Sequence, residues 1–215
     1  MTTTPASPTG FFLAFEGGDG AGKSTQVALL VAALRAAGRD VFVTRQPGGT
    51  PLGAALRELV LHGEHVVPRA EALIYAADKA QHVDTLVRPA LAEGRVVVTD
   101  RYVDSSVAYQ GAGRDLGADD VTRLQRWAVD DLLPDLTVVL DVTPEVGRAR
   151  RVGRGEAAPD RLEAEGDAFH AAVREHFLVL AAADPGRYLV LDAGLGATAL
   201  HTFVMERVTA AGVLG

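Results

Sequence analysis

The sequence predicts an α/β protein in which a five-stranded parallel sheet carries helices on both faces. Three observations lead there. Five short apolar runs, at 11–15, 40–44, 96–99, 136–140 and 188–191, are rich in Val, Leu or Phe without clean alternation. That is the pattern of strands buried on both faces. Segments of helical period separate the runs, and strands alternating with helices form βαβ units with parallel strands. Between the first run and the first helical segment stands FEGGDGAGKST, which contains G-x-x-x-x-G-K-[ST] with Gly17, Gly22, Lys23 and Ser24 in the required places.

The elements follow in order. Phe12, Leu13, Ala14 and Phe15 form the first strand. Val27, Leu30, Val31 and Leu34 then repeat at helical spacing until Gly38 ends a helix over 24–37. The second strand leads through a PGGT turn into a helix over 51–61. A long helix over 70–93 carries Pro89, which removes a backbone donor and crowds the preceding turn, so a kink is predicted there. Further helices are expected at 118–132, 144–151, 164–182 and 197–211. Trp127 shares its helix with Leu124 and Leu132 and is expected to pack. Residues 11–215 are expected to form one domain behind a short disordered tail at 1–10. The Gly- and Pro-bearing stretch GRGEAAP marks a mobile-loop candidate, with a lid expected over about 148–161.

The glycine loop carries the clearest chemistry. Its backbone N–H groups, from Gly17 through Gly18, Asp19, Gly20, Ala21 and Gly22 to Lys23, Ser24 and Thr25, make a nest for a polyphosphate. The following helix adds its positive end. Lys23 is placed to reach the β- and γ-phosphates of ATP, and the Ser24 hydroxyl to ligate Mg²⁺. Arg45 and Pro47 follow the second strand, and ligands in open α/β sheets sit beyond the carboxyl ends of strands. Arg45 can hold a phosphate bidentately there. An ordinary surface arginine beside a PGG turn is the competing reading. Asp100 and Arg101 end the third strand; a carboxylate there is costly unless paired. Asp100 could reach Mg²⁺ through water, while a structural Asp–Arg pair is the alternative. Tyr109 and Gln110 lie further along. Arg148, Arg150, Arg151, Arg154 and Arg161 crowd around GRGEAAP, either as a solvated helix face or as charge stabilisers on the lid. The six histidines lack an HExxH pattern, and no zinc site is expected.

Composition narrows the classes. The 215 residues are 48% hydrophobic and 23% charged, ordinary for a globular protein. A net charge of −7 argues against broad binding to nucleic acid or an anionic membrane, so positive charge must be concentrated locally at any phosphate site. The chain has no cysteine, no apolar run of bilayer length and no secretory signal, and a cytoplasmic location is expected.

From Phe11 onward the chain resembles the bacterial thymidylate kinase family. The resemblance rests on FEGGDGAGKST, TRQPGGT, AEALIYAADKAQHV, TDRYVDSSVAYQGAGR, PDLTVVLDVTPEVG and DRLEAEGDAFH, in that order. It implies the nucleoside-monophosphate kinase type of P-loop fold, transfer of the ATP γ-phosphoryl group to dTMP with Mg²⁺, and a homodimer. It also assigns roles. Asp19 would organise the dTMP phosphate and the donor side, and Arg45 and Arg101 would hold the acceptor phosphate. Tyr75 stands where a Phe stacks on thymine and Lys79 where an Arg bonds the base. Ser105 and Ser106 would meet the pyrimidine edge, Tyr109 would crowd the sugar 2′ position, Gln110 would line the pocket, and Glu163 would lie near the sugar. The lid-arginine form of the family is implied, with Arg154 as first and Arg150 as second choice for the catalytic arginine. Gln46 replaces the usual Glu of TREPGGT. The Tyr75 and Lys79 departures leave another monophosphate or nucleoside kinase open. A non-catalytic nucleotide-binding module is a further alternative, although the guanine-reading N-K-x-D motif is absent.

Overall fold

The computed structural model describes residues 10–153 and 159–214. Its strands are β1 (Phe11–Gly17), β2 (Val41–Arg45), β3 (Val96–Asp100), β4 (Leu136–Asp141) and β5 (Tyr188–Asp192). They are all parallel, in the order β2-β3-β1-β4-β5. The helices are α1 (Lys23–Ala36), α2 (Pro51–His62), α3 (Pro68–His82), α4 (Arg88–Ala92), α5 (Val103–Ser106), α6 (Ala118–Ala128), α7 (Pro144–Gly153), α8 (Asp167–Ala183) and α9 (Ala197–Ala210).

Side chains alternate across the sheet, so β1 feeds two cores. Leu13 and Phe15 pack with Val98 and Val138 against Leu30 and Leu34 of α1 and Leu200 and Val204 of α9. Phe12 and Ala14 face the opposite layer with Val97, Val83, Val87, Val103 and Val107. A third cluster brings Tyr75, Tyr109, Val139 and Phe177 together under α8. Burial on both faces explains the unbroken apolar runs.

The strands continue one or two residues past those runs. The added residues are Glu16 and Gly17, Arg45, Asp100, Asp141 and Asp192. Hydrophobicity cannot mark them, but ladder pairing holds them; Arg45 is in register with Asp100, and Gly17 with Leu140. Polar side chains are thus fixed along the carboxyl edge of the sheet.

The structure adds to or departs from the sequence reading at four places. The segment after β3 folds as α5 and a π-helical stretch at Val107–Gly113, whereas its β-branched, aromatic and small residues give little helical signal. Burial of Val103, Val107, Ala108 and Tyr109 overrides propensity there. The kink expected at Pro89 takes the form of a π-helical turn at Val83–Val87, one residue N-terminal to α4. The sixth helix ends at Ala128 because Asp130 and Asp131 turn into the left-handed region, at φ 47° and 54°. Trp127 does not pack; it is 81% exposed.

The turn after β2 is clamped by α3. Asp78 Oδ1 accepts from the Gly48 amide at 3.1 Å. One turn further on, His82 lies 2.6 Å from Thr44 Oγ1 and 2.7 Å from Gln46 Nε2. The Gln46 amide donates to Nδ1, so Nε2–H donates to Thr44 and the imidazole is neutral. Gly48 has φ 104°, a conformation that favours glycine. A Cβ on Gly49 would lie 2.8 Å from the His82 ring and from Thr44 Oγ1. Gly49→Ala should therefore destabilise the fold by about 1–3 kcal/mol, read by urea unfolding.

Burial, with the Lys79 charge, pushes the His82 pKa down to about 4. The unfolded chain then binds more protons below its ordinary His range. Stability present at neutral pH should fall as pH drops through about 6.5 and be lost by about 4, by about 3 kcal/mol from this group. Unfolding free energies measured against pH should show that loss in the unaltered chain and not in His82→Gln.

Candidate active site

The glycine loop joins β1 to α1 with its backbone shaped for close approach. Gly17, Gly20 and Gly22 have φ of 125°, 78° and 98°. A Cβ on Gly20 would lie 2.3 Å from the Gly147 carbonyl, so the loop and α7 touch backbone to backbone. α1 begins at Lys23 without a side-chain cap or an acidic residue in its first turn. Its positive end is left for an external anion. Lys23 Nζ donates to the carbonyls of Gly17 and Gly18, at 3.0 and 2.9 Å, which fixes the ammonium inside the loop.

β3 delivers the second anchor. Arg101 sits at φ 66°, an uncommon conformation for a side-chain-bearing residue, and this turns its guanidinium back over the glycine loop. Nη2 donates to Asp19 Oδ1 at 2.5 Å and to the Tyr109 hydroxyl at 3.2 Å; Nη1 donates to the Gly17 carbonyl at 3.3 Å and to Ser105 Oγ at 3.1 Å. Tyr109 in turn donates to Asp19 Oδ2 at 3.1 Å. Burial would raise the Asp19 pKa, but the charges of Arg101 and Lys23 and these hydrogen bonds hold its carboxyl well below the usual range.

Helix α3 supplies one wall. Its Asp78 and His82 clamp the turn after β2, while Tyr75 and Lys79, one residue-turn apart, line the cleft. Lys79 Nζ donates to Ser106 Oγ at 2.7 Å and lies 5.5 Å from the Tyr75 ring centre. Burial pushes the Lys79 pKa down to about 8, against the pull of Asp78, Glu16 and Asp104.

Two joined clefts result. The first, of about 590 Å³, is lined by Pro47, Tyr75, Lys79, Arg101, Ser105, Ser106, Tyr109, Gln110 and Glu163, together with Asp19, Gln46 and Arg57. Nine of the ten residues expected on the acceptor side thus meet in one cavity. The second, of about 750 Å³, holds the tenth, Arg45, with Gly20, Gly22, Lys23, Ser24, Asp100 and Arg151. Asp19, Gln46, Arg57, Arg101 and Glu163 line both. Gly17, Ala21 and Thr25 line neither cleft, and Gly18 borders a smaller neighbouring cavity. Asp100 Oδ1 is buried without a hydrogen-bond partner among the described residues, and Asp100 lines the same cleft as Ser24 and Lys23. An orphaned carboxylate oxygen in a cleft that also holds a serine hydroxyl suits a hard cation that takes its remaining ligands from phosphate and water.

The lid arginines separate. Arg150 donates to the Ala193 carbonyl at 2.7 Å and lines neither cleft. Arg148 pairs with Asp167. Arg151 reaches the second cleft and pairs with Glu163 at 2.9 Å. The helical repeat puts Arg148 and Arg151, three apart, on one side of α7, where both border a smaller cavity, and turns Arg150 away, which a count of arginines cannot resolve. Arg154 lies outside the described residues. Ser105 lines the first cleft, and its hydroxyl donates to Glu16 and accepts from Arg101.

Two contributors carry no motif signal. Arg57 of α2 lines both clefts and donates to the Pro47 carbonyl at 3.3 Å. Its signal was its place two turns after the PGGT turn. Glu71 of α3 is fully buried and accepts from Gln110 at 2.8 Å, from Arg114 at 3.4 Å and from Arg161. Arg161 also donates to the Val60 carbonyl at 2.9 Å, which ties the segment carrying Glu163 to α2 and α3. Nothing in the local pattern of AEALIY distinguishes such a hub from a surface glutamate.

The family model for thymidylate kinase matches residues 15–204. A protein of Clavibacter sepedonicus named thymidylate kinase is 58% identical over 187 residues, covering 86% of this chain and 88% of its own. Thymidylate kinases of Cutibacterium acnes and Thermomicrobium roseum are 54% and 50% identical, covering 93% of this chain and 97% and 94% of theirs. With a glycine loop and a guanidinium-lined cleft meeting at Asp19 and Arg101, and with likeness of this extent, the chain belongs to the thymidylate kinase family.

Proposed function

We propose that the chain transfers the γ-phosphoryl group of ATP to the 5′-phosphate of dTMP, giving dTDP and ADP. The observation that carries this reading is the shared wall of the two clefts, where Asp19, Arg57 and Arg101 face both the Lys23 side and the Tyr75–Lys79 side. A triphosphate in the loop and a monophosphate in the neighbouring cleft would meet there in line. An acceptor phosphate oxygen forms the new bond to the γ-phosphorus as the bond to the β-bridging oxygen breaks and its electrons leave with ADP. The acceptor is already anionic, so no general base is required, and positioning and charge stabilisation do the work.

In this reading the amides between Gly17 and Ser24 and the Lys23 ammonium hold the β- and γ-phosphates. Arg45, Arg57 and Arg101 hold the acceptor phosphate, and Arg151 stabilises the charge that spreads over the transferred group. Asp19 orients Arg101 and Tyr109. Tyr75 stacks on the pyrimidine, and Lys79 with Ser106 presents donors to a keto oxygen of the base. Ser24 and Asp100 would hold Mg²⁺, which when bound neutralises the β- and γ-phosphate oxygens. The reading extends to one domain over 11–215 acting in the cytoplasm, without nucleic-acid or membrane partners, and to a homodimer through α2 and α3. Leu52, Leu59 and Leu73 on those helices are exposed, which suits that surface. Among the described residues no helix is long and apolar enough to cross a membrane.

An ADP-release assay over dTMP, dUMP, dCMP and thymidine tests the substrate directly. dTMP should turn over fastest; equal or faster turnover of another acceptor would replace dTMP, and nucleotide binding without transfer would leave only the non-catalytic alternative. Lys23→Ala and Arg151→Ala should each lower kcat by on the order of 10². Arg150→Ala, aimed at the Ala193 carbonyl, should do far less. Near-full turnover by Lys23→Ala would overturn the assignment of the loop.

A further inference from the structure

Glu16 is the last residue but one of β1, directly before Gly17, and is completely buried. A buried carboxylate is costly unless its oxygens are hydrogen-bonded. Oε1 accepts from the Tyr102 amide at 2.7 Å and from the Ser105 amide at 3.1 Å; Oε2 accepts from the Ser105 hydroxyl at 2.5 Å. All three donors belong to the segment that immediately follows Arg101. The Ser105 oxygen, its own proton committed to Glu16, turns its lone pairs to Arg101 Nη1 at 3.1 Å. The chain Glu16–Ser105–Arg101 therefore has one polarity from end to end.

From this geometry we infer that Glu16 is a positioning residue for the transfer step: its carboxylate orients the Ser105 hydroxyl and the kinked backbone after β3, and through them aims the Arg101 guanidinium at the acceptor phosphate. The inference rests on the reading above, in which Arg101 grips that phosphate. The reason is the chemistry of the two ends. A guanidinium only donates hydrogen bonds, so Ser105 must meet it with an oxygen and not with its proton. An ionised carboxylate only accepts, so it takes that proton. An amide or a protonated carboxyl in place of Oε2 becomes a donor itself. The Ser105 hydrogen then has no acceptor on that side and turns toward the Arg101 cation, which loses one of its four holds. The same carboxylate accepts the Tyr102 amide next to the left-handed Arg101, a conformation that persists only where its surroundings impose it.

Burial and the Asp104 carboxylate push the Glu16 pKa up to about 7, against the Ser105 bond, the Arg101 charge and the Tyr102 amide. The other titratable groups bearing on it are the charged Lys23 of α1 and Lys79 of α3 and the neutral Tyr188 of β5. Asp104 itself accepts from the Tyr188 hydroxyl at 2.8 Å and lies 3.7 Å from Arg187, with His176 also acting on it. Loss of positioning should thus set in as pH falls through neutrality.

The test compares Glu16→Gln, Ser105→Ala and the double variant with the unaltered chain, using ATP, Mg²⁺ and saturating dTMP. Glu16→Gln should lower kcat on the order of ten- to a hundred-fold while the KM for ATP stays unchanged, the size expected for a displaced catalytic group. The kcat ratio of unaltered chain to Glu16→Gln, in which the titration of dTMP itself cancels, should climb through neutral pH. Ser105→Ala should lower kcat in the same direction, and the double variant should be little worse than either single one because both cut one chain. A Glu16→Gln protein that melts lower but keeps its kcat, a ratio independent of pH, or losses that multiply in the double variant would each overturn the inference. Absence of dTMP turnover by the unaltered chain would instead count against the function proposed above.

Discussion

The position of the Arg101 guanidinium is the constraint on which the rest of the site depends. It is held by the Gly17 carbonyl, Ser105, Asp19 and Tyr109, contacts drawn from the end of β1 and the loop after it and from the segment after β3. Strand pairing sets the distance between those two segments, since Phe15 is in register with Asp100. The left-handed backbone at Arg101 then folds the side chain back across the strand end instead of letting it continue outward. A cation fixed in this way costs little to organise when phosphate charge develops beside it, which is how preorganised groups contribute to phosphoryl transfer.

Around that cation the protein arranges an uneven balance of charge. The chain as a whole is acidic, yet Lys23, Arg45, Arg57, Arg101 and Arg151 face one continuous pair of clefts. The nearby carboxylates divide by task. Asp19 neutralises Arg101 directly, Glu163 pairs with Arg151, and Glu16 acts from behind through Ser105. Asp100 keeps one oxygen without a protein partner. Glu16 and Asp100 are placed by strand ends and Arg151 by a helix turn, whereas Asp19 sits in the glycine loop and Glu163 in the turn before α8.

Helix α3 illustrates the economy of the arrangement. Asp78 and His82 face β2 and close the PGGT turn, while Tyr75 and Lys79 face the cleft and Glu71 gathers Arg114, Arg161 and Gln110. The helical repeat places i and i+4 residues on the same side, so the same four turns both shape the acceptor cleft and brace the turn beside it. A glycine pair is needed at 48 and 49 because one adopts a positive φ and the other lies against the His82 ring.

The sequence by itself determined the parallel sheet and the glycine loop. Those features are written locally: apolar runs mark doubly buried strands, and the loop motif needs fixed residue types at fixed spacing. That Tyr75, Lys79, Ser106 and Glu163 line one cleft was implied only by the family resemblance, and their meeting there is a matter of packing. Where local signal and tertiary need diverge, only the folded chain decides. Burial made a helix of 103–113 despite weak propensity, the facing of α7 separated Arg151 from Arg150, and α6 left Trp127 in solvent. The roles of Glu16, Arg57 and Glu71 arise from partners 89, 10 and 90 residues away along the chain, at Ser105, Pro47 and Arg161. A carboxylate or guanidinium has the same identity in sequence wherever it points; which groups it meets, and so what it does, is set by three-dimensional packing.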